Sequence, residues 1–287
     1  MSFLFRRGYI YIPKKTIFKP LVRLKTAMCN SYEWNPCEYL LSRNPEVNYA
    51  IIILNTPINF GFNTHFIVKM WNQAKIRVTV DGGTKRWLNW LSLNKYELKD
   101  ILYPDMITGD MDSLPKDVLE LFENTNTQII CTPDQDNTDF TKSLIELNDQ
   151  CIRENIHIDT VFVLADTCGR LDHILGNINT LFKSDNIIKD TSIFQIASNS
   201  LTWILRKGEH IIHIPINLRK NQEWCALLPI GSPCEVSTKG LKWNLEGQTL
   251  EFNGIVSSSN TYDSTSDVVR IVTNEPLVWS MGIDTLL

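Results

Sequence analysis

Five short, almost continuously apolar runs, Tyr49–Asn55, Ile76–Val80, Met106–Thr108, Gln128–Thr132 and Thr160–Ala165, alternate with longer mixed segments over the first two-thirds of the chain. This rhythm narrows the possible folds sharply. A strand apolar on both faces must be covered on both faces, as in a mostly parallel sheet with helices on either side. The intervening segments predict helices over His65–Gln73, Lys85–Leu93, Pro115–Asn124, Thr138–Glu154 and Asp172–Lys183. Pro115 suits a first helical turn, with Asp112 or Ser113 as its cap.

From about residue 191 the period shortens. Ser192–Ala197, Thr202–Leu205, His210–Ile214, Cys225–Pro229, Glu235–Ser237, Val268–Thr273 and Leu277–Ser280 read as short strands. Turn signals such as Lys207-Gly208, Gly231-Ser232-Pro233 and Asn253-Gly254 divide them, the pattern of a small β-sandwich. The fold class expected is an α/β N-terminal domain with a mostly parallel sheet plus a C-terminal all-β sandwich. The expected boundaries are an N-terminal extension, ordered only in part, over 1–39, an α/β domain over 40–190 and a β domain over 191–287.

A net charge of −4 gives no basic face for a phosphate backbone, so nucleic-acid binding is not expected. No apolar run reaches the roughly 18 residues of a membrane span, and no membrane association is expected. Seven cysteines without a C-x-x-C pair argue against a zinc site or a disulfide framework. Arg6, Arg7, Lys14, Lys15, Lys19, Arg23 and Lys25 all precede the first acid, Glu33. The expected location is cytoplasmic, with a mitochondrial transit segment as the alternative.

Three acidic clusters follow apolar runs: Gly109-Asp110-Met111-Asp112-Ser113, Asp134-Gln135-Asp136-Asn137-Thr138-Asp139 and Gly169-Arg170-Leu171-Asp172-His173. Any one of them also reads as a turn with a helix cap. Together they would meet at the carboxyl edge of one sheet, where α/β ligands gather. Converging carboxylates repel one another unless a cation intervenes, and Mg²⁺ is the usual partner of carboxylate and phosphate oxygens. Asp110, Asp112 and Asp139 are the metal candidates. Arg170 can hold a phosphate bidentately, and Asp172 can bind metal or fix that arginine. Asp81-Gly82-Gly83 forms a fourth strand-to-helix turn, suited to a nucleotide over glycine backbone and equally to an ordinary turn. In the second domain, Trp243 can stack on a flat heteroaromatic ring while Ser257 and Asn260 bond its edge; a lone tryptophan there also reads as core. Neither the P-loop nor the dinucleotide-binding glycine pattern is present.

In order, Asp81-Gly82-Gly83, the three acidic clusters, Leu228-Pro229-Ile230-Gly231, Gly240-Leu241-Lys242-Trp243-Asn244-Leu245 and Val256-Ser257-Ser258-Ser259-Asn260 resemble the eukaryotic thiamine pyrophosphokinases, from about Leu40 to the C-terminus. The resemblance implies transfer of pyrophosphate from ATP to the thiamine hydroxyl, with Mg²⁺, in a homodimer whose active sites lie at the subunit interface. It implies catalytic roles for Asp110, Asp112, Asp139 and Arg170. Asp81, Gly82, Gly83, Thr138, Gly169 and Asp172 would bind the nucleotide, and Gln135, Trp243, Ser257 and Asn260 the thiamine, the last three from the other chain. One departure is Ala165-Asp166, where the family usually has Gly-Gly before the Gly-Arg-x-Asp turn. Two other readings compete. Asp110-Met111-Asp112-Ser113-Leu114 nearly matches an aspartyl-nucleophile phosphatase motif and misses at Leu114, and a non-catalytic thiamine or nucleotide sensor would keep the same fold.

Overall fold

A first short strand, β1 (Ser31–Trp34), falls inside the stretch assigned to the extension, and a one-turn helix, α1 (Pro36–Leu40), spans its boundary. The computed structural model describes residues 30–41, 47–58 and 64–286; the basic segment 1–29, with the transit-segment alternative, lies outside the described residues. All five apolar runs are strands. In chain order the next elements are β2 (Tyr49–Ile53), α2 (Thr64–Gln73), β3 (Ile76–Val80), α3 (Gly82–Leu93), β4 (Met106–Gly109) and α4 (Lys116–Glu120). They are followed by β5 (Gln128–Cys131), α5 (Asp139–Glu154), β6 (Thr160–Leu164), α6 (Leu171–Ile187) and β7 (Ser192–Ile196). Strands β2 to β7 pair in parallel in the spatial order β5-β4-β3-β2-β6-β7. The order reverses at β2 and β6, which opens a crevice at their carboxyl ends.

The remaining elements are β8 (Ser200–Leu205), β9 (Gly208–His213), α7 (Ile216–Lys220), β10 (Trp224–Leu228), β11 (Cys234–Lys239), β12 (Gln248–Leu250), β13 (Ser257–Thr261), β14 (Val268–Thr273) and β15 (Leu277–Gly282). β8 joins β7 antiparallel, so β8, β15, β10 and β13 extend the parallel sheet into one ten-stranded sheet. A second sheet, β1-β9-β14-β11-β12, forms the other layer. The change of strand sense therefore falls after β7, whereas the period in the sequence changes before it.

Side chains alternate across the shared sheet with the period of two that strands impose. Ala50 and Ile52 face α5 and α6 together with Phe140, Leu144 and Leu181. Ile51 and Ile53 face the opposite layer with Trp71 and Trp87, and that same cluster runs on through Trp203, Trp279 and Ile271 into the sandwich. One hydrophobic core thus spans both parts of the chain. Two local expectations are corrected. Helix α4 stops at Glu120 instead of running to Asn124, and Pro115 is its N-cap in extended backbone with no side-chain cap from Asp112 or Ser113.

Candidate active site

The turns leaving β2, β3, β4, β5 and β6 enclose a cleft of about 510 Å³. Its lining includes Asn55, Thr56, Asp81, Asp110, Asp112, Gln135, Thr138, Asp139, Lys142, Arg170 and Asp172. Asp81 is the buried end of this constellation. Its backbone stands at φ 47° and ψ −126°, a conformation that a residue with a Cβ holds only at a cost. It is held by its N–H donating to Thr108 O at 2.8 Å and by its Oδ1 accepting from Ser113 N at 3.2 Å. Gly109, at φ 139°, makes room: a Cβ there would lie 2.8 Å from Asp81 Cβ. The glycine thus makes room for the aspartate.

One carboxylate oxygen from each of Asp81, Asp110 and Asp112 falls within 4.8 Å of the others. Asp81 is buried, Asp110 half-buried and Asp112 exposed, so the group opens from the protein toward solvent. Three hard oxygen donors at that spacing suit a Mg²⁺-type cation and repel one another without it. The expected metal carboxylate Asp139 is not in that group. It opens α5 and pairs with Lys142 Nζ at 2.7 Å.

Thr138 caps α5, its Oγ1 accepting from Thr141 N at 3.1 Å, and forms a hydroxyl triangle with Thr141 and Thr180 that ties α5 to α6. Just before it, Asp134 accepts from the Asp136 N–H and the Asn137 amide, which hold its carboxyl below the usual range. Gln135 faces the cleft from this loop, its amide donating to Pro133 O at 3.3 Å. Across the cleft, Arg170 grips the Asp172 carboxylate through two nitrogens. Those hydrogen bonds lower the Asp172 pKa and raise that of Arg170. Gly169 adopts φ 95° with open space on its Cβ side.

Several expected residues stand elsewhere. Gly82 and Gly83 do not line the cleft; they let α3 press against β2, since added Cβ atoms would meet Asn55 at 2.6 Å and Ile53 O at 2.7 Å. Asp166 is buried and folded onto its own turn, accepting from Thr167 N at 2.7 Å and Cys168 Sγ at 2.9 Å. Its charge therefore does not enter the cleft lining. Trp243, Ser257 and Asn260 are also absent from the lining. Trp243 is 55% exposed with Lys242 Nζ 4.7 Å from its ring centroid. Asn260 is buried and clamps the Trp243 backbone, accepting from its N–H at 3.2 Å and donating to its carbonyl at 2.8 Å. It presents the tryptophan. Asn55, Thr56 and Lys142 were missed from sequence. For Lys142 the available signal was its i,i+3 spacing from Asp139 at a helix start.

Comparison with known proteins gives two family matches. Residues 67–194 match the family described as thiamin pyrophosphokinase, catalytic domain, and residues 209–278 match thiamin pyrophosphokinase, vitamin B1 binding domain. The chain is 31% identical to thiamine pyrophosphokinase 3 of Oryza sativa subsp. japonica, covering 82% of this chain and 87% of the relative. It is 29% identical to thiamine pyrophosphokinase 1 of Arabidopsis thaliana, over 86% and 90%. Among solved structures, thiamin pyrophosphokinase from Candida albicans superposes with a TM-score of 0.74 at 25% identity, over 89% of this chain and 93% of the other.

Proposed function

The chain belongs to the thiamine pyrophosphokinase family, and from that premise we propose that it moves the terminal pyrophosphoryl group of ATP to the hydroxyl of thiamine, giving thiamine diphosphate and AMP. The convergence of Asp81, Asp110 and Asp112 at one end of a cleft lined by Arg170 and Gln135 carries this reading. Those three carboxylates fit Mg²⁺, with Asp81 replacing Asp139 in the set read from sequence. Bound there, the ion would neutralise phosphate charge and make the β-phosphorus open to attack.

The chain's own residues supply position and charge. Transfer of this kind needs in-line placement and electrostatic stabilisation more than covalent help. Arg170, oriented by Asp172, faces the cleft as a planar cation suited to phosphate oxygens. Gln135 stands where it can orient the acceptor. Asp139, paired with Lys142, stands in the cleft lining where it can take the hydroxyl proton or repel a misplaced phosphate. The turn Gly169–Asp172 and the cap Thr138 complete the nucleotide side.

Thiamine would be shared between two copies in a homodimer. Trp243 of the partner subunit would cover the cleft, with Ser257 of the partner subunit and Asn260 of the partner subunit holding it in place. The exposure of Trp243 and its absence from its own chain's cleft support that arrangement. The family matches give no support to the phosphatase or sensor readings.

Incubation with ATP, Mg²⁺ and thiamine, followed by chromatography of both products, tests the reading. AMP and thiamine diphosphate should form in equal amounts, and Asp110→Asn or Asp112→Asn should lower the rate by about 10³-fold or more. Release of ADP or inorganic phosphate in place of AMP would overturn it.

A further inference from the structure

Lys142 is the one residue of the cleft lining whose placement costs the fold something and whose purpose the proposed reaction does not yet supply. It lies in the first turn of α5, where the helix dipole disfavours a cation. Its side chain is only 6% exposed, and a buried ammonium requires full compensation. It obtains that from three acceptors: Thr132 O at 2.9 Å, Asp134 O at 3.0 Å and Asp139 Oδ1 at 2.7 Å. An ammonium has three donors, and here each has a partner. The first two acceptors sit at the start and near the middle of the segment that links β5 to α5, and the third is the first residue of α5. Between the second and third lies Gln135, which faces the cleft.

We propose that Lys142 is a positioning residue for the acceptor side of the site: one buried ammonium gathers Thr132, Asp134 and Asp139 and so fixes where Gln135 and the Asp139 carboxylate stand. The proposal rests on the pyrophosphokinase reading above. Partners that orient the groups touching a ligand typically change affinity or activity by 10–100-fold when removed. The placement predicts which constant changes. Gln135 and Asp139 are on the thiamine side in this reading, while Asp81, Asp110 and Asp112 are held by other contacts, so the loss should fall on thiamine and spare ATP.

The test is steady-state kinetics of the full chain bearing Lys142→Met, with thiamine and ATP varied in turn and thermal unfolding measured in parallel. Expected is a rise in the thiamine KM of about tenfold or more with the ATP KM within about twofold of wild type. The double variant with Asp139→Asn should lose less than the product of the single losses, because both changes break one network. A raised ATP KM would show that the ammonium serves phosphate directly and would overturn the proposal. So would unchanged kinetic constants with a lowered unfolding temperature, the mark of a purely structural role. If Lys142→Met does not fold, Lys142→Arg decides: a planar fork cannot meet three acceptors arranged for an ammonium, so an unchanged thiamine KM in that variant overturns the proposal. Wild-type enzyme that forms no AMP would instead sink the underlying reading, so the two failures are distinct.

Discussion

Asp81 concentrates the conflict between stability and function at a single residue. Its backbone sits where only glycine is at ease, and conformations of this kind cost on the order of 1–3 kcal/mol. Its carboxylate is the buried member of the acidic group. Replacement by glycine should therefore relieve strain while removing an oxygen from the proposed Mg²⁺ site. Asp81→Gly is expected to unfold at a temperature equal to or above that of wild type, with AMP formation reduced by at least about 10²-fold. A variant that loses stability and activity together would show that the strain is illusory. The sequence made Asp81 visible as a candidate but not its place in the acidic trio, because its closeness to Asp110 and Asp112 depends on pairing between β3 and β4. Asp139 was the opposite case: its position in an acidic run suggested metal, whereas it stands outside the close trio and pairs with the buried Lys142 one turn later. Runs of like charge reveal that a site exists. They do not reveal which members a neighbouring cation will take.

At the level of elements, legibility followed burial. Strands β2, β3, β4 and β6, inside the sheet and almost wholly buried, could be read to within two residues, and so could the edge strand β5, whose apolar run marks it although its side chains are mostly exposed. β12 and β13 carry mostly polar side chains and gave no apolar run to read, although Ser257 and Asn260 had drawn attention as a motif. β1 escaped because it is four residues long and held by aromatic stacking that no local pattern announces. Tyr32 stacks on His210 with ring centroids 4.8 Å apart, and the Trp34 indole N–H donates to His210 Nδ1 at 3.0 Å. Nδ1 is thereby an acceptor, so Nε2 carries the proton and donates to Arg206 O at 2.7 Å. The clamp between β1 and β9 is built for a neutral ring, and burial lowers the His210 pKa from 6.5 to about 4. Between those two values the unfolded chain takes a proton that the folded chain refuses, so stability rises with pH across the window. The contribution is complete above about pH 6.5 and is lost as the pH falls to about 4, on the order of 3 kcal/mol in all. Urea unfolding at pH 7 and pH 5 should show a smaller drop for His210→Gln than for wild type. Equal drops in the two proteins would place the acid sensitivity elsewhere.

At the scale of the molecule, the two parts announced by the change of period are one sheet and one continuous core. The sheet passes from β7 to β8 without a break, and the tryptophans of the sandwich pack onward from those beneath β2. A chain so built holds its own β layer fixed relative to its own cleft, and Trp243 does not line that cleft; in the arrangement proposed above it would serve the cleft of a second copy. That expectation comes from family resemblance alone, since no local pattern tells whether an exposed tryptophan meets solvent or another chain. Exposed apolar side chains at Trp243, Phe252 and Ile255, and at Leu171 and Leu175 in the helix that begins beside Arg170, supply surface for such a contact. The shared-site arrangement has a consequence that a self-contained site lacks. Asp110→Asn disables a cleft and Trp243→Ala disables a cover, so each variant alone should be nearly inactive. In a mixed dimer one site combines both defects, while the other joins the intact cleft of one subunit to the intact cover of its partner. With random exchange about half of the dimers are mixed, each carrying one working site, so a mixture should recover about a quarter of wild-type activity per subunit. The measurement is AMP formation before and after the two variants are unfolded and refolded together. If activity stays at the level of the separate variants while mixed dimers are present by mass, cleft and cover belong to the same chain.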